Sequence, residues 1–283
     1  MLFLHQIFSS FWAITDTQAV NYMPLIASYM KGNRVEALPE RPNHFALASI
    51  ENAAYQIQTY GRNIPENIPA NSIGVIDIRG AMTKYDQDCG PDGMLTISNL
   101  LKRCYANEGI KAIVLRIDSG GGETVAWRMM NDAISVRNKP VVAFVEDCAC
   151  SAAYGIASGC DMIVANHKMA ITGCIGSLST IFDYREYLKK EGITEITVYA
   201  TPSKDKNKWF RNALDGDTAL LQKMTDESCE DFISTIEKNR GDKLKSDRSE
   251  WGTGKEYYSD QSIKIGLIDG IDTFENVLNY FNT

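Results

Sequence analysis

The chain has 283 residues, 44% hydrophobic and 23% charged, with a formal net charge of −7. This composition is globular, which excludes disordered and collagen-like classes, and the acidic balance argues against phosphate-backbone binding as the main activity. No stretch approaches the roughly 18 unbroken apolar residues that a membrane helix needs.

The opening, MLFLHQIFSSFWAITDTQAV, is apolar at its start but has no Lys or Arg before Lys31 and no small-x-small cleavage pattern. It therefore does not read as a signal peptide, and a soluble, cytoplasmic chain is expected. Residues 1–60 are read as a mostly helical segment. Asp16 is a candidate cap for a helix through Ala19, Val20, Met23 and Ile26, with Pro24 kinking or shortening it. GRNIPENIPANS, 61–72, lacks hydrophobic periodicity and is the linker candidate. The expected division is thus 1–72, an N-terminal helical segment with linker, and 73–283, the main domain.

From Ile73 strands and helices alternate. SIGVIDIRGAM is rich in strand formers, and GMLTISNLLKRCYA places Leu95, Ile97, Leu100 and Leu101 at helical spacing, facing inward. KAIVLRIDS is a second buried strand, and three glycines then open the helix GGETVAWRMMNDAISVRN. KPVVAFVED is a third strand, followed by the small-residue helix CACSAAYGIASGC. DMIVAN, AITGCIGSLSTIF and ITEITVYA read as further strands, DYREYLKKEG as a helix, and a long helix runs from about Asp217 to Arg240. Repeated βαβ units with continuous apolar strands predict an α/β fold built on a mainly parallel sheet.

Two places combine a strand end with a helix start. At Asp118-Ser119-Gly120-Gly121-Gly122 the glycines permit positive φ and expose backbone N–H groups at a helix N-terminus. The turn is either an oxyanion hole or simply a tight connection; it has neither the GxGxxG nor the Walker spacing. Ser151, in Cys150-Ser151-Ala152-Ala153-Tyr154-Gly155, is either an N-cap or a nucleophile whose Oγ projects beside backbone donors. The small residues after it allow close packing against whatever lies beside the helix, a substrate chain being one candidate. A histidine partner has three candidates: His5 and His44 lie before the main domain, and His167 sits at a strand end. A lysine is the remaining base, provided burial or neighbouring cations lower it from ~10.4 towards ~7–8. Lys204, Lys206 and Lys208 lie in a loop after ITVYA, where a solvated basic loop is the alternative. Seven scattered cysteines, with Cys148 and Cys150 one residue apart, do not match zinc-knuckle spacing. No metal or other cofactor is expected, and the thiols are read as reduced.

Taken in order, these pieces resemble the signal peptide peptidase A or protease IV family, peptidase family S49, within the Clp protease/crotonase superfamily. The resemblance spans roughly 73–269. IRGAM resembles the family's glycine-ended strand, IDSGGG its Asn-Ser-Pro-Gly-Gly, CSAAYGIAS its Ser-x-Gly-Tyr-Tyr-Ile-Ala, and TGCIGSL its Thr-Gly-Ser-Ile-Gly. YATPSKDK resembles the segment with the catalytic lysine, and EYYSDQSIKIGLIDGI the terminal Tyr-Ser-Gly motif. The resemblance implies a ClpP/crotonase-like spiral of βαβ units, with 73–283 as an S49-like serine peptidase domain. It further implies a Ser–Lys dyad endopeptidase with Ser151 as nucleophile, Lys204 as base, and the Gly121 and Ala152 amides as the oxyanion hole. Lys206 or Lys208 substitutes for Lys204 if the loop register differs. Thr172 stands where Clp proteases keep their histidine. Gly120 replaces the family's proline, and Ala153 its glycine.

The CSA-type nucleophile motif, the residues near Gly93 and the Ser-x-Lys ending resemble phage capsid-maturation proteases. This implies a homo-oligomeric prohead protease that acts on scaffold, portal or capsid proteins. The alternatives are a housekeeping peptidase of the bacterial cytoplasm, a crotonase-like acyl-CoA enzyme, and a non-catalytic capsid-assembly protein of the same fold. No nucleic acid and no membrane span are expected.

Overall fold

A computed structural model describes residues 12–14, 44–51, 54–87 and 90–282. In chain order the strands and helices are β1 (Trp12–Ile14), β2 (Phe45–Glu51), β3 (Ala54–Gly61), β4 (Ser72–Arg79), α1 (Met94–Ala106), β5 (Ile110–Ser119), β6 (Gly121–Glu123), α2 (Thr124–Ser135), β7 (Val141–Cys150), α3 (Ala152–Ser158), β8 (Met162–Ala165), β9 (Ile171–Gly173), α4 (Arg185–Lys190), α5 (Lys208–Leu214), α6 (Ala219–Arg240), α7 (Arg248–Trp251), β10 (Glu256–Tyr258), α8 (Ser259–Ile265), β11 (Gly270–Ile271) and α9 (Phe274–Asn279).

The main sheet runs β10-β9-β7-β5-β4-β2-β3. Its centre, β4-β5-β7, is parallel, as βαβ crossovers require. The Ile- and Val-rich runs buried there have helices on one face and the C-terminal segment on the other, so both strand faces are apolar. The α/β class expected from the alternating pattern is the architecture observed. Along one edge β7 has two successive partners. Val142–Val145 pair with β8, and Cys148–Cys150 pair with β9, both parallel. The sheet therefore forks at β7, and the end of that strand emerges beside β9.

The reading of 1–60 as helical is corrected where it can be compared. Phe45–Glu51 and Ala54–Gly61 form a hairpin whose first strand pairs antiparallel with β4. The division expected at 72/73 thus falls inside β4, one residue into a strand of this sheet. The period-two run Tyr55-Gln56-Ile57-Gln58-Thr59-Tyr60 carries the strand signal. The helix expected through Ala19 and Ile26 lies outside the described residues. Inward packing in α1 holds for Ile97, Leu100 and Leu101, but Leu95 is exposed and Met94 takes the buried place.

The predicted strand at 193–200 is absent. Its alternation is real, but no neighbouring strand supplies a ladder, and Ile196 and Val198 are 84% and 88% exposed. Of AITGCIGSLSTIF only Ile171–Gly173 is a strand. The long helix is observed as α6, anchored at its end by Arg240. That side chain is buried and donates to both carboxylate oxygens of Asp269 at 3.1 Å and to Gly266 O.

Candidate active site

The end of β7 is where the chain changes geometry. Cys150 completes the ladder with Gly173, and the Ser151 N–H donates to Gly173 O at 2.8 Å. The next residues turn at once into α3. Ser151 makes this turn with φ 52° and ψ −123°, a conformation a side chain rarely adopts and one that costs on the order of 1–3 kcal/mol. As an N-cap, Ser151 Oγ would accept a first-turn amide, yet it makes no capping bond. The strain therefore brings no capping return. What it achieves is to fix the side chain at a sharp strand-to-helix elbow.

The elbow is held by the core beneath it. Every residue of α3 is buried, and Tyr154 donates to Leu267 O at 2.8 Å. Gly155 lies under the rings of Trp127 and Phe232, whose centroids are 4.9 Å apart and whose planes are tilted by 44°. A Cβ at Gly155 would sit 2.7 Å from the Phe232 ring, so a side chain here forces the packing to shift. At Gly155 the small-residue face of α3 thus admits the aromatic core. The Ala152 amide belongs to the first helical turn, where the helix itself supplies no acceptor.

The glycine turn reaches the same place from β5. Ser119 pairs with Ala149, two residues before Ser151, and β6 packs against α3. Gly121 has φ 110°. Its N–H donates to Ser119 Oγ at 3.1 Å, and that hydroxyl donates to Gly80 O at 2.5 Å. The predicted oxyanion donor is therefore engaged by a neighbour that the sequence reading did not single out. A Cβ on Gly122 would collide with the Met82 backbone, which explains why the turn continues in glycine.

Lys204 follows the short 3-10 turn Thr201–Ser203 and is exposed, as are Lys206 and Lys208. The Lys204 carbonyl accepts from Arg211 Nη2 at 2.8 Å, and the Arg211 guanidinium lies 4.2 Å from the Tyr199 ring centroid. Lys208 pairs with Asp205 at 3.4 Å. Among the described residues no hydrogen bond joins any of these lysines to Ser151. The structure thus brings Ser151, Ala152 and the Gly121 turn together and leaves the lysine segment on the surface.

The two described histidines are engaged elsewhere. His44 is buried; its Nδ1 donates to Asp77 O at 3.1 Å and its Nε2 accepts from the Asp92 N–H at 3.3 Å, tying the loop before α1 to the sheet. His167 pairs with Asp147 at 2.8 Å. Asp147 precedes Ser151 by four residues of extended chain, about 13 Å, so this pair is a poor triad for Ser151. His5 lies outside the described residues. Thr172 is buried and shares a 2.7 Å hydrogen bond with Ser262. Beside the elbow, Cys150 is buried, and a hydrogen bond with Cys148 together with desolvation raises its thiol well above the ordinary value. Cys104, Cys148, Cys150, Cys160 and Cys229 are free thiols. Among the described residues no group of three His, Cys, Asp or Glu is placed to hold a metal, and no helix is long and apolar enough to cross a membrane.

Comparison with known proteins places the chain in a family. The family description Peptidase family S49 matches residues 133–283, which include Ser151 and Lys204. The chain is 31% identical to a "putative protease" of Methanocaldococcus jannaschii over 64% of this chain and 58% of that protein. It is 25% identical to Protease 4 of Haemophilus influenzae over 75% of this chain and 34% of that protein. It is 29% identical to the head-tail preconnector protein GP5 of Enterobacteria phage P21, over 43% of this chain and 24% of that protein. The chain thus spans less than two thirds of each of these relatives. Among solved structures, ClpP1 of Listeria monocytogenes gives a TM-score of 0.44 at 11% identity, covering 71% of this chain and 94% of that one. With a strained serine at the strand-to-helix elbow and a family match across more than half of its length, the chain belongs to peptidase family S49.

Proposed function

We propose that this chain is a serine endopeptidase with Ser151 as nucleophile and Lys204 as its base. The observation that carries the reading is the elbow: a buried serine in a strained conformation, with no capping role, at the end of a parallel strand beside a glycine turn. Ser151 Oγ attacks the scissile carbonyl, Lys204 Nζ takes the proton, and the leaving amine receives it. The Ala152 amide holds one side of the oxyanion. Gly121 supplies the second donor by exchanging Ser119 Oγ for the developing charge, and such a donor is typically worth about 3 kcal/mol. The chemistry is assigned to 73–283, with β2 and β3 completing the sheet.

Lysine becomes a base at neutral pH when desolvation or neighbouring cations favour its neutral form. Lys204 is exposed in the single chain, so a second copy that covers 193–208 is the proposed source of desolvation. The bare Ile193, Ile196 and Val198 give such a copy an apolar surface to bury. The likeness to a phage head-tail preconnector protein favours a role in prohead assembly, with scaffold, portal or capsid proteins as substrates. A second reading, a non-catalytic assembly protein, draws on the exposure of Lys204 and on the engaged Gly121 amide. Intact mass after fluorophosphonate treatment separates the two. The peptidase reading expects one adduct on the wild type and none on Ser151→Ala or Lys204→Ala. Absence of any adduct on assembled wild type favours the assembly protein.

A further inference from the structure

The short strand β6 has two edges, and they are used differently. On one edge Met82 is inserted: its N–H donates to Gly121 O at 2.9 Å, and it accepts from the Glu123 N–H at 2.9 Å. Because backbone groups alternate sides along a strand, the Gly122 N–H and C=O face the other way. On that second edge lies β1, antiparallel, with Trp12 opposite Glu123, Ala13 opposite Gly122 and Ile14 opposite Gly121. The two form a sheet of their own, apart from the main one.

This second edge directly continues the glycine turn and packs beside the helix that Ser151 opens. An extended peptide gains its affinity from main-chain bonds to an exposed strand edge. Near Ser151, the β6 edge opposite Met82 is such a place. We infer that residues 12–14 occupy the edge on which an extended substrate peptide would align, so that the N-terminal strand is an intramolecular competitor of substrate. The inference rests on the reading of Ser151 as nucleophile. A tethered competitor acts at an effective concentration in the millimolar range. A free peptide of modest affinity is therefore held off until β1 leaves. Departure of β1, by cleavage in the N-terminal region or by binding elsewhere, converts a restrained site into an open one without rearranging the core.

The test uses the full chain. Ala13→Pro removes a ladder N–H at the residue facing Gly122 and disfavours pairing there. Two readouts are taken on wild type and variant: amide hydrogen exchange over 121–123, and the rate of fluorophosphonate labelling, with Ser151→Ala as blank. The expected result is faster exchange at 121–123 together with labelling at least tenfold faster in Ala13→Pro. A synthetic peptide of residues 9–17 added to the variant should slow labelling again, which also shows that the variant is folded. Unchanged exchange at 121–123, or faster exchange with an unchanged labelling rate, overturns the inference and leaves the nucleophile reading standing. No Ser151 adduct in either protein overturns the nucleophile reading and this inference with it.

Discussion

The two halves of the proposed dyad sit in opposite environments. Ser151 stands on a helix with every residue buried, its N–H bonded across the sheet and its conformation imposed by the strand below and the helix above. Lys204 stands on a short turn after eight residues without regular structure, among side chains that face water. One half is preorganised by the core of the single chain. The other has the residues of a strand but no strand to pair with. A nucleophile has to be held rigidly because its attack geometry tolerates little error, whereas a lysine base needs dry surroundings. The first condition is met within one chain, and the second depends on what covers 193–208.

Several measurements break or sharpen this contrast. The largest effect is expected for Ser151→Ala, which should lose the fluorophosphonate adduct entirely while keeping its melting temperature or raising it, since alanine carries no reactive oxygen. Lys204→Ala should slow labelling by about 10²- to 10⁴-fold, the usual share of a general base, so that no adduct accumulates in the time that labels the wild type. Lys206→Ala and Lys208→Ala should leave labelling nearly unchanged; a large loss at either would move the base.

Arg240→Leu leaves the Asp269 carboxylate without its guanidinium partner and should cost about 3 kcal/mol, read by denaturant unfolding. Burial alone would raise the Asp269 carboxyl, but Arg240, the Ile163 N–H and Lys243 outweigh it and hold the group below its usual value. A lowered acid stabilises the fold above the unfolded carboxylate range and loses that contribution as pH falls through the folded value. The gap between wild type and Arg240→Leu should therefore narrow below about pH 4, the ordinary carboxylate range, in thermal melts.

Gly155→Ala pushes a Cβ against Phe232 and should cost about 1–3 kcal/mol, with slower labelling because the helix under Ser151 shifts. Ile196→Thr should change the stability of the single chain by less than about 0.5 kcal/mol. A clear drop in its sedimentation coefficient or labelling rate would show that the exposed segment is covered in the working assembly.

Local reasoning went far in the middle of the chain. The buried strands of 72–150, the helices between them and the long helix ending at Arg240 were legible, because both faces of a parallel sheet demand continuous apolar runs. The strain at Ser151 was not legible, since serine is common at helix starts. Only the observed φ, without a capping bond, separates the two roles. The hairpin β2–β3 was legible in principle from the alternation over 55–60. The engagement of the Gly121 amide by Ser119 depends on a turn geometry that residue identity does not specify.

What the sequence determined by itself is the order of the βαβ units, their apolar strands, and the placing of a serine and a glycine turn at strand ends, because periodicity and chain connectivity are local properties. Tertiary structure alone decided the rest. It set β1 against β6 more than a hundred residues away, split the edge of β7 between two partners, and left 193–200 unpaired. Pairing is a property of two segments at once, so a strand-like segment becomes a strand only where the fold brings an unsatisfied edge to meet it.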